Sequence, residues 1–227
     1  MWRFVSLSLL SAWSGLCPPA TAQLPSPTSP QERYFDGLRE RGLYDTAEGV
    51  CVEELRRKDL EVDDRLQLTL EFSRTLVEHA QVTAGRRQRE LWGQARSVLN
   101  AFRESHPVHP EITRVHLQAT LVPLAEADYL ARQVETSPFD RRRRGLALET
   151  LESSLRQLAR LQPQLESTRS LTSSVRRRLL ATIRWRRVHG HLSRAGLLQT
   201  GTPDRAAALL AAENTLREIA PSTLEPF

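Results

Sequence analysis

The chain has 227 residues, 40% hydrophobic and 26% charged, which is the balance of a water-soluble protein with room for one sizeable core or a short array of repeats. The formal net charge is +5 and Lys58 is the only lysine. So mild a basic excess, with an arginine bias that genomic base composition explains, argues against a nucleic-acid binder, and sparse glycine with no β-branched alternation favours helix over sheet.

Residues 1–22, MWRFVSLSLLSAWSGLCPPATA, have the form of a secretory signal peptide. Arg3 supplies the positive start, Phe4 to Leu16 the short apolar stretch, and Ala20-Thr21-Ala22 the small-x-small cleavage pattern before Gln23. Export to the periplasm or the extracellular space is the expectation. The apolar run is short for a membrane span, and bulky Leu16 before Cys17 fits a lipid-attachment site poorly, so a soluble exported chain is expected over an anchored one. Cleavage leaves Cys51 alone, which excludes an intramolecular disulfide framework. Its place on an inner helix face predicts a buried, inert thiol, with pairing between chains as the alternative. Residues 23–30, QLPSPTSP, read as an extended Pro/Ser-rich linker.

From Gln31 onward the spacing is helical. The first pair is expected at 31–41 and 43–58. Tyr34 and Leu38 share a face, Gly42-Leu43-Tyr44 makes the corner, and Ala47, Cys51 and Leu55 continue at four-residue steps. The Gly42-x-Tyr44-x-x-Ala47 pattern followed by an apolar residue resembles one tetratricopeptide repeat. That resemblance covers about a tenth of the chain. It implies a module that binds a peptide or helix of another protein, without a cofactor and without chemistry of its own.

The second pair is expected at 65–82 and 86–104. Asp63-Asp64 offer caps, Leu66, Leu70, Leu76 and Val77 point inward, and Gly85 marks the break. Trp92, Ala95, Leu99 and Phe102 then match Tyr44, Ala47, Cys51 and Glu54, and the run His106-Pro107-Val108-His109-Pro110 stops the helix. The third pair is expected at 111–135 and 138–161. Val115, Ala119, Val122 and Tyr129 share a face, Pro123 should kink its helix, and Ser137-Pro138 reads as an N-cap with proline at the first helical position. Ala147, Leu151, Leu155 and Leu158 form the stripe of the partner helix. The fourth pair is expected at 169–199 and 203–219. Leu171, Val175, Leu179 and Ile183 face inward on its first helix, and Gly190 and Gly196 weaken that helix's far end. Thr202-Pro203-Asp204 restarts the chain, followed by Ala208, Ala212, Leu216 and Ile219, and Pro221 ends it. The helix at 204–219 is more apolar than the polar cap with which repeat arrays end, so another protomer or a longer array is expected against it.

No sequence pattern points to catalysis. Phosphate loop, Gly-x-Ser-x-Gly elbow and His-Glu-x-x-His are absent, and no serine has a nucleophile's context. The pairs Glu53-Glu54 and Glu71 with Glu78 read as solvated helix faces. His189-Gly190-His191 lacks the convergent ligand set of a zinc site; gathering of His106, His109 and His116 with a carboxylate would favour an enzyme. Three basic clusters stand out: Arg86-Arg87 with Arg89, Arg141 to Arg144, and Arg176, Arg177, Arg178, Arg184, Arg186 and Arg187 around Trp185. The last is the candidate surface for an anionic partner. Helical spacing turns Arg177, Arg178 and Arg184 away from the Leu179, Leu180 and Ile183 stripe and sets Arg176 and Arg187 beside it, where their stems can cover apolar surface.

These observations give an all-α fold. After a signal peptide (1–22) and linker (23–30), residues 31–221 form an α-solenoid, a right-handed stack of about four tetratricopeptide-like hairpins, and 222–227 are a short tail. The expected function is an exported scaffold that binds a protein or peptide along its concave repeat face, with no catalytic residues, metal or cofactor and no nucleic-acid partner. Two alternatives remain at this stage: binding of anionic lipid or polymer, at the membrane surface or elsewhere, through the 176–187 arginines, and an enzyme with an unrecognised site.

Overall fold

In the computed structural model the described residues are 29–219, and these form eight helices and no strand. The expected signal peptide at 1–22, most of the linker and the 222–227 tail lie outside the described residues. The helices are α1 (Pro30–Glu40), α2 (Tyr44–Arg56), α3 (Val62–Val82), α4 (Gly85–Ser105), α5 (Ile112–Thr136), α6 (Arg141–Ser167), α7 (Ser173–Leu197) and α8 (Pro203–Ile219). They pair as the four expected hairpins, and each hairpin packs on the next in chain order. Successive odd helices also touch, α1 with α3, α3 with α5 and α5 with α7, whereas each even helix meets only odd ones. The fold is therefore all-α and solenoid-like, with an odd layer that is continuous and an even layer whose members stand apart.

Helix starts and stops differ from the sequence expectation where local caps decide them. Ser29 and Pro30, assigned to the linker, begin α1 instead: Ser29 and Glu32 form a reciprocal capping box and Pro30 occupies the first turn. Asp63 and Asp64 do not cap α3. They lie inside its first turn, where their charge opposes the positive end of the helix dipole. Asp140, not Ser137, caps α6, accepting from the Arg143 N–H at 2.9 Å. α6 also runs past the expected end at 161, through Pro163, to Ser167. α5 continues through Pro123 to Thr136. A proline removes one backbone rung, and packing along 25- and 27-residue helices tolerates that loss. Thr202 and Pro203 do start α8, with the Thr202 hydroxyl 3.4 Å from the Arg205 N–H.

Three apolar clusters follow one another along the stack. Phe35, Leu38, Ala47, Cys51 and Leu68 join the first hairpin to α3. Leu66, Leu76, Leu91, Trp92, Leu99 and Val122 fill the space between α3, α4 and α5. Leu124, Leu151, Leu158, Leu165 and Ile183 do so for α5, α6 and α7. A leucine fully buried in this way stabilises the fold by about 2 kcal/mol. The recurring alanines Ala47, Ala95, Ala147 and Ala208 are all 0% exposed, so each even helix seats its backbone close to its neighbour at a small residue. On α8, Thr215 is buried in place of the expected Leu216, and Leu209, Leu210 and Leu216 lie on the exposed face.

Gly190 serves the same purpose from α7. A Cβ there would lie 2.9 Å from Leu155 Cδ2 and 3.4 Å from Leu124 Cδ1, whereas Gly93 on α4 has nothing within 4 Å. Gly93→Ala should stabilise the protein by about 0.5–1 kcal/mol through helix propensity. Gly190→Ala should fall short of that gain or reverse it, because Leu155 has to leave its rotamer. Equal stabilisation of both variants in urea unfolding would refute the close approach.

Candidate functional site

A groove of about 210 Å³ crosses the odd layer and takes residues from all four odd helices. Each helix contributes positions one turn apart: Glu32 and Asp36 on α1, Leu70 and Arg74 on α3, Arg114 with Gln118 and Leu117 with Leu121 on α5, Arg178 and Thr182 on α7. Leu70, Leu117, Leu121 and Leu179 form an apolar floor; Arg74, Arg114 and Arg178 stand over it, and Glu32 with Asp36 make the α1 end acidic.

The groove is held by a charge network at its acidic end. Arg39 on α1 is 5% exposed and donates from Nη1 to Glu71 Oε2 of α3 at 2.8 Å and to the Thr75 hydroxyl at 3.2 Å. Its other nitrogens reach Asp36 and, at 3.4 Å, Glu78. Burial pulls the Arg39 pKa down, but the charges of Glu71 and Glu78 outweigh it and leave it raised. Glu71 is 1% exposed and uses its second oxygen to accept from Arg74 at 2.6 Å, which sets that arginine in the groove wall. Glu78 is raised above the usual carboxylate range by partial desolvation, which Arg39 offsets only in part. Arg114 is fixed by Glu111 at 2.6 Å and Gln67 at 2.9 Å. The Arg178 guanidinium has no hydrogen bond or ion pair among the described residues.

The 176–187 arginines have different surroundings. Arg178 lines the odd-layer groove. Arg176 folds back on the Leu171 carbonyl at 3.2 Å. Arg187 donates to Gln162 at 2.7 Å and lies 3.8 Å from Glu218, and Arg184 reaches the Glu218 carbonyl at 3.5 Å. Arg177 and Arg186 are exposed. Trp185 packs edge-on against His189.

The histidines are likewise dispersed. His106 and His109 both pack on Phe102, at 4.7 and 5.8 Å between ring centroids. His109 also meets Asp63 at 2.9 Å, and His116 lies apart from both in a separate cavity. His189 and His191 share no ligand set among the described residues. There, three metal-competent groups converge at Asp45, Glu48 and His79, within 4.8 Å of one another, a cluster that no local spacing announced. It is satisfied from within: His79 Nδ1 meets Glu48 at 2.6 Å, Arg87 reaches the other Glu48 oxygen at 3.3 Å, and Tyr44 stacks on the His79 ring at 5.1 Å. A further cavity places Asp128 of α5 beside His189 and Ser193 of α7. Burial raises the Asp128 pKa, and the neighbouring Ser193 hydroxyl and Arg132 offset it only in part.

Comparison with protein-family models, with characterised proteins and with solved structures finds no match to this chain. The odd-layer groove and its network are therefore read from their own geometry.

Two outcomes follow. Arg39→Ala should cost about 3 kcal/mol, because Glu71 Oε2 loses its partner in the interior and Arg74 alone is left to compensate that charge. The Arg39→Met/Glu71→Met pair should cost clearly less in urea unfolding, and a double variant worse than Arg39→Ala would overturn that account. Cys51 is buried, and its thiol is pushed up to about 12, first by desolvation and then by Glu71. At pH 8 Cys51 should stay unreacted toward a thiol reagent in the native protein, and unfolding should make it reactive.

Proposed function

We propose that this chain is an exported helical-repeat scaffold, similar in kind to tetratricopeptide-repeat proteins, that holds a segment of a partner protein in the odd-layer groove. The observation that carries this is the groove's composition: every odd helix contributes to one trough with an apolar floor and charged walls of opposite sign at its two ends. A trough of this kind suits an extended or helical segment that buries one or two apolar side chains on the leucines. It favours acidic groups toward Arg114 and Arg178 and a basic group toward Glu32 and Asp36. The Gly42-Leu43-Tyr44 corner with Ala47 supports the repeat kinship, and the character of residues 1–22 supports export. Anionic lipid or polymer is the weaker reading, since four of the six arginines behind it face the groove or are engaged within the fold.

The test is capture by the mature chain, residues 23–227, from an envelope extract, with a photo-cross-linker at Thr182 in the groove or at Arg156 on exposed α6. A protein partner should cross-link from Thr182 and not from Arg156. It should survive high salt, because the apolar floor is not screened, and should weaken about tenfold with Arg178→Glu. Cross-linking from both positions alike, or capture indifferent to Arg178→Glu, would refute the groove as the binding surface.

A further inference from the structure

A second groove, of about 410 Å³, opens on the other side of α5, between α4 and α6. Those two even helices do not touch, so α5 forms the floor between them. Helical spacing turns one stripe of each wall inward: Arg96, Asn100 and Arg103 on α4, and Gln157, Arg160 and Gln164 on α6. No carboxylate is among the described residues that line it. Arg96 spends one nitrogen on Glu126 at 2.6 Å and Arg103 one on Asn100 at 3.3 Å. The Arg160 guanidinium is unengaged among the described residues. His116 lies on the floor, and burial, followed by the charge of Arg103, lowers its pKa.

We propose that this groove binds a soluble small molecule carrying two or more phosphate groups. A lone carboxylate has only two oxygens to offer, fewer than the donors of three guanidinium forks and three side-chain amides can use. A phosphate presents three strong acceptor oxygens, and the arginine fork matches it in bidentate fashion. From Arg96 to Arg103 the α4 wall runs about 10 Å at 1.5 Å per residue, close enough for the two long arginine stems to converge on neighbouring phosphates. The concavity and volume are those of a small-molecule site.

Inorganic pyrophosphate is the probe, titrated calorimetrically into the mature chain at moderate salt. One saturable site is expected, weakened at least about tenfold by either Arg103→Gln or Arg160→Gln, as loss of a charge-assisted hydrogen bond requires. Arg142→Gln removes the same charge from an exposed position outside the groove and should change the affinity less than about twofold. In the unaltered protein the His116 ring resonance should move on titration. Its pKa should rise, because the added anion offsets Arg96 and Arg103 from α4 and Arg160 from α6. Four results would each overturn the proposal: no saturable binding, an equal loss with Arg142→Gln, an unmoved His116 resonance, or capture by vesicles containing phosphatidic acid without any binding of pyrophosphate.

Discussion

The buried Arg39–Glu71 pair is the contact on which the first third of the molecule depends. α1 and α2 have 11 and 13 residues, short enough that neither would persist alone in water. Their small apolar cluster needs Leu68 of α3 to complete it. Arg39 joins them to α3 with directed bonds to Glu71 and Thr75, and burying that charge is tolerable only because its partners satisfy it. One carboxylate then serves two purposes: Glu71 anchors α1 through Arg39 and positions Arg74 in the groove wall. An apolar pair could have replaced the anchor, but it would have left Arg74 without a fixed orientation.

Beyond that pair the stack is held by size matching. Each even helix brings a fully buried alanine to its closest approach, and α7 brings Gly190. Such residues admit no extra methylene without strain, which fixes how deeply each helix seats. No disulfide is available to help, since the one cysteine among the described residues is free and buried. Stability is thus distributed over neighbouring contacts, as expected for a stack in which each unit buries what its neighbour exposes.

The helices were legible because the inward residues repeat at three- and four-residue steps and the breaks fall at Gly42, Gly85 and the 106–110 turn. The errors lie at ends and prolines. Ser137 looked like the cap of α6, but Asp140 is the side chain that meets a free N–H, a matter of loop geometry and not of residue type. The helix expected to end at 161 runs on through Pro163, because a helix already packed on its flanks absorbs one missing rung. The candidate sites were far less legible. The 176–187 run drew notice because its arginines are adjacent in sequence, while packing of α7 against α5, α6 and α8 gives them different surroundings. Both grooves take a few residues from each of three or four helices, so no local pattern marks either one. The four-residue pairs Arg114 with Gln118 and Arg96 with Asn100 were present, but helices hold many such pairs without purpose.

The position of α5 gives the two grooves their separation. At about 100° per residue, Gln118 and Thr120 point to opposite sides of one helix. Gln118 with Arg114, Leu117 and Leu121 faces the odd-layer groove, and Thr120 with His116 and Ala119 faces the even-layer groove. The odd helices meet one another, so their groove is a trough floored by leucines of α3, α5 and α7, with the α1 carboxylates at one end. The even helices do not, so theirs is a cleft with a helix for a floor and two charged walls. A continuous layer offers a leucine floor, which suits a chain segment; a gapped layer offers arginines and amides from two facing helices, which suits a compact anionic ligand. The difference between the two sites therefore follows from which layer of the solenoid each one occupies.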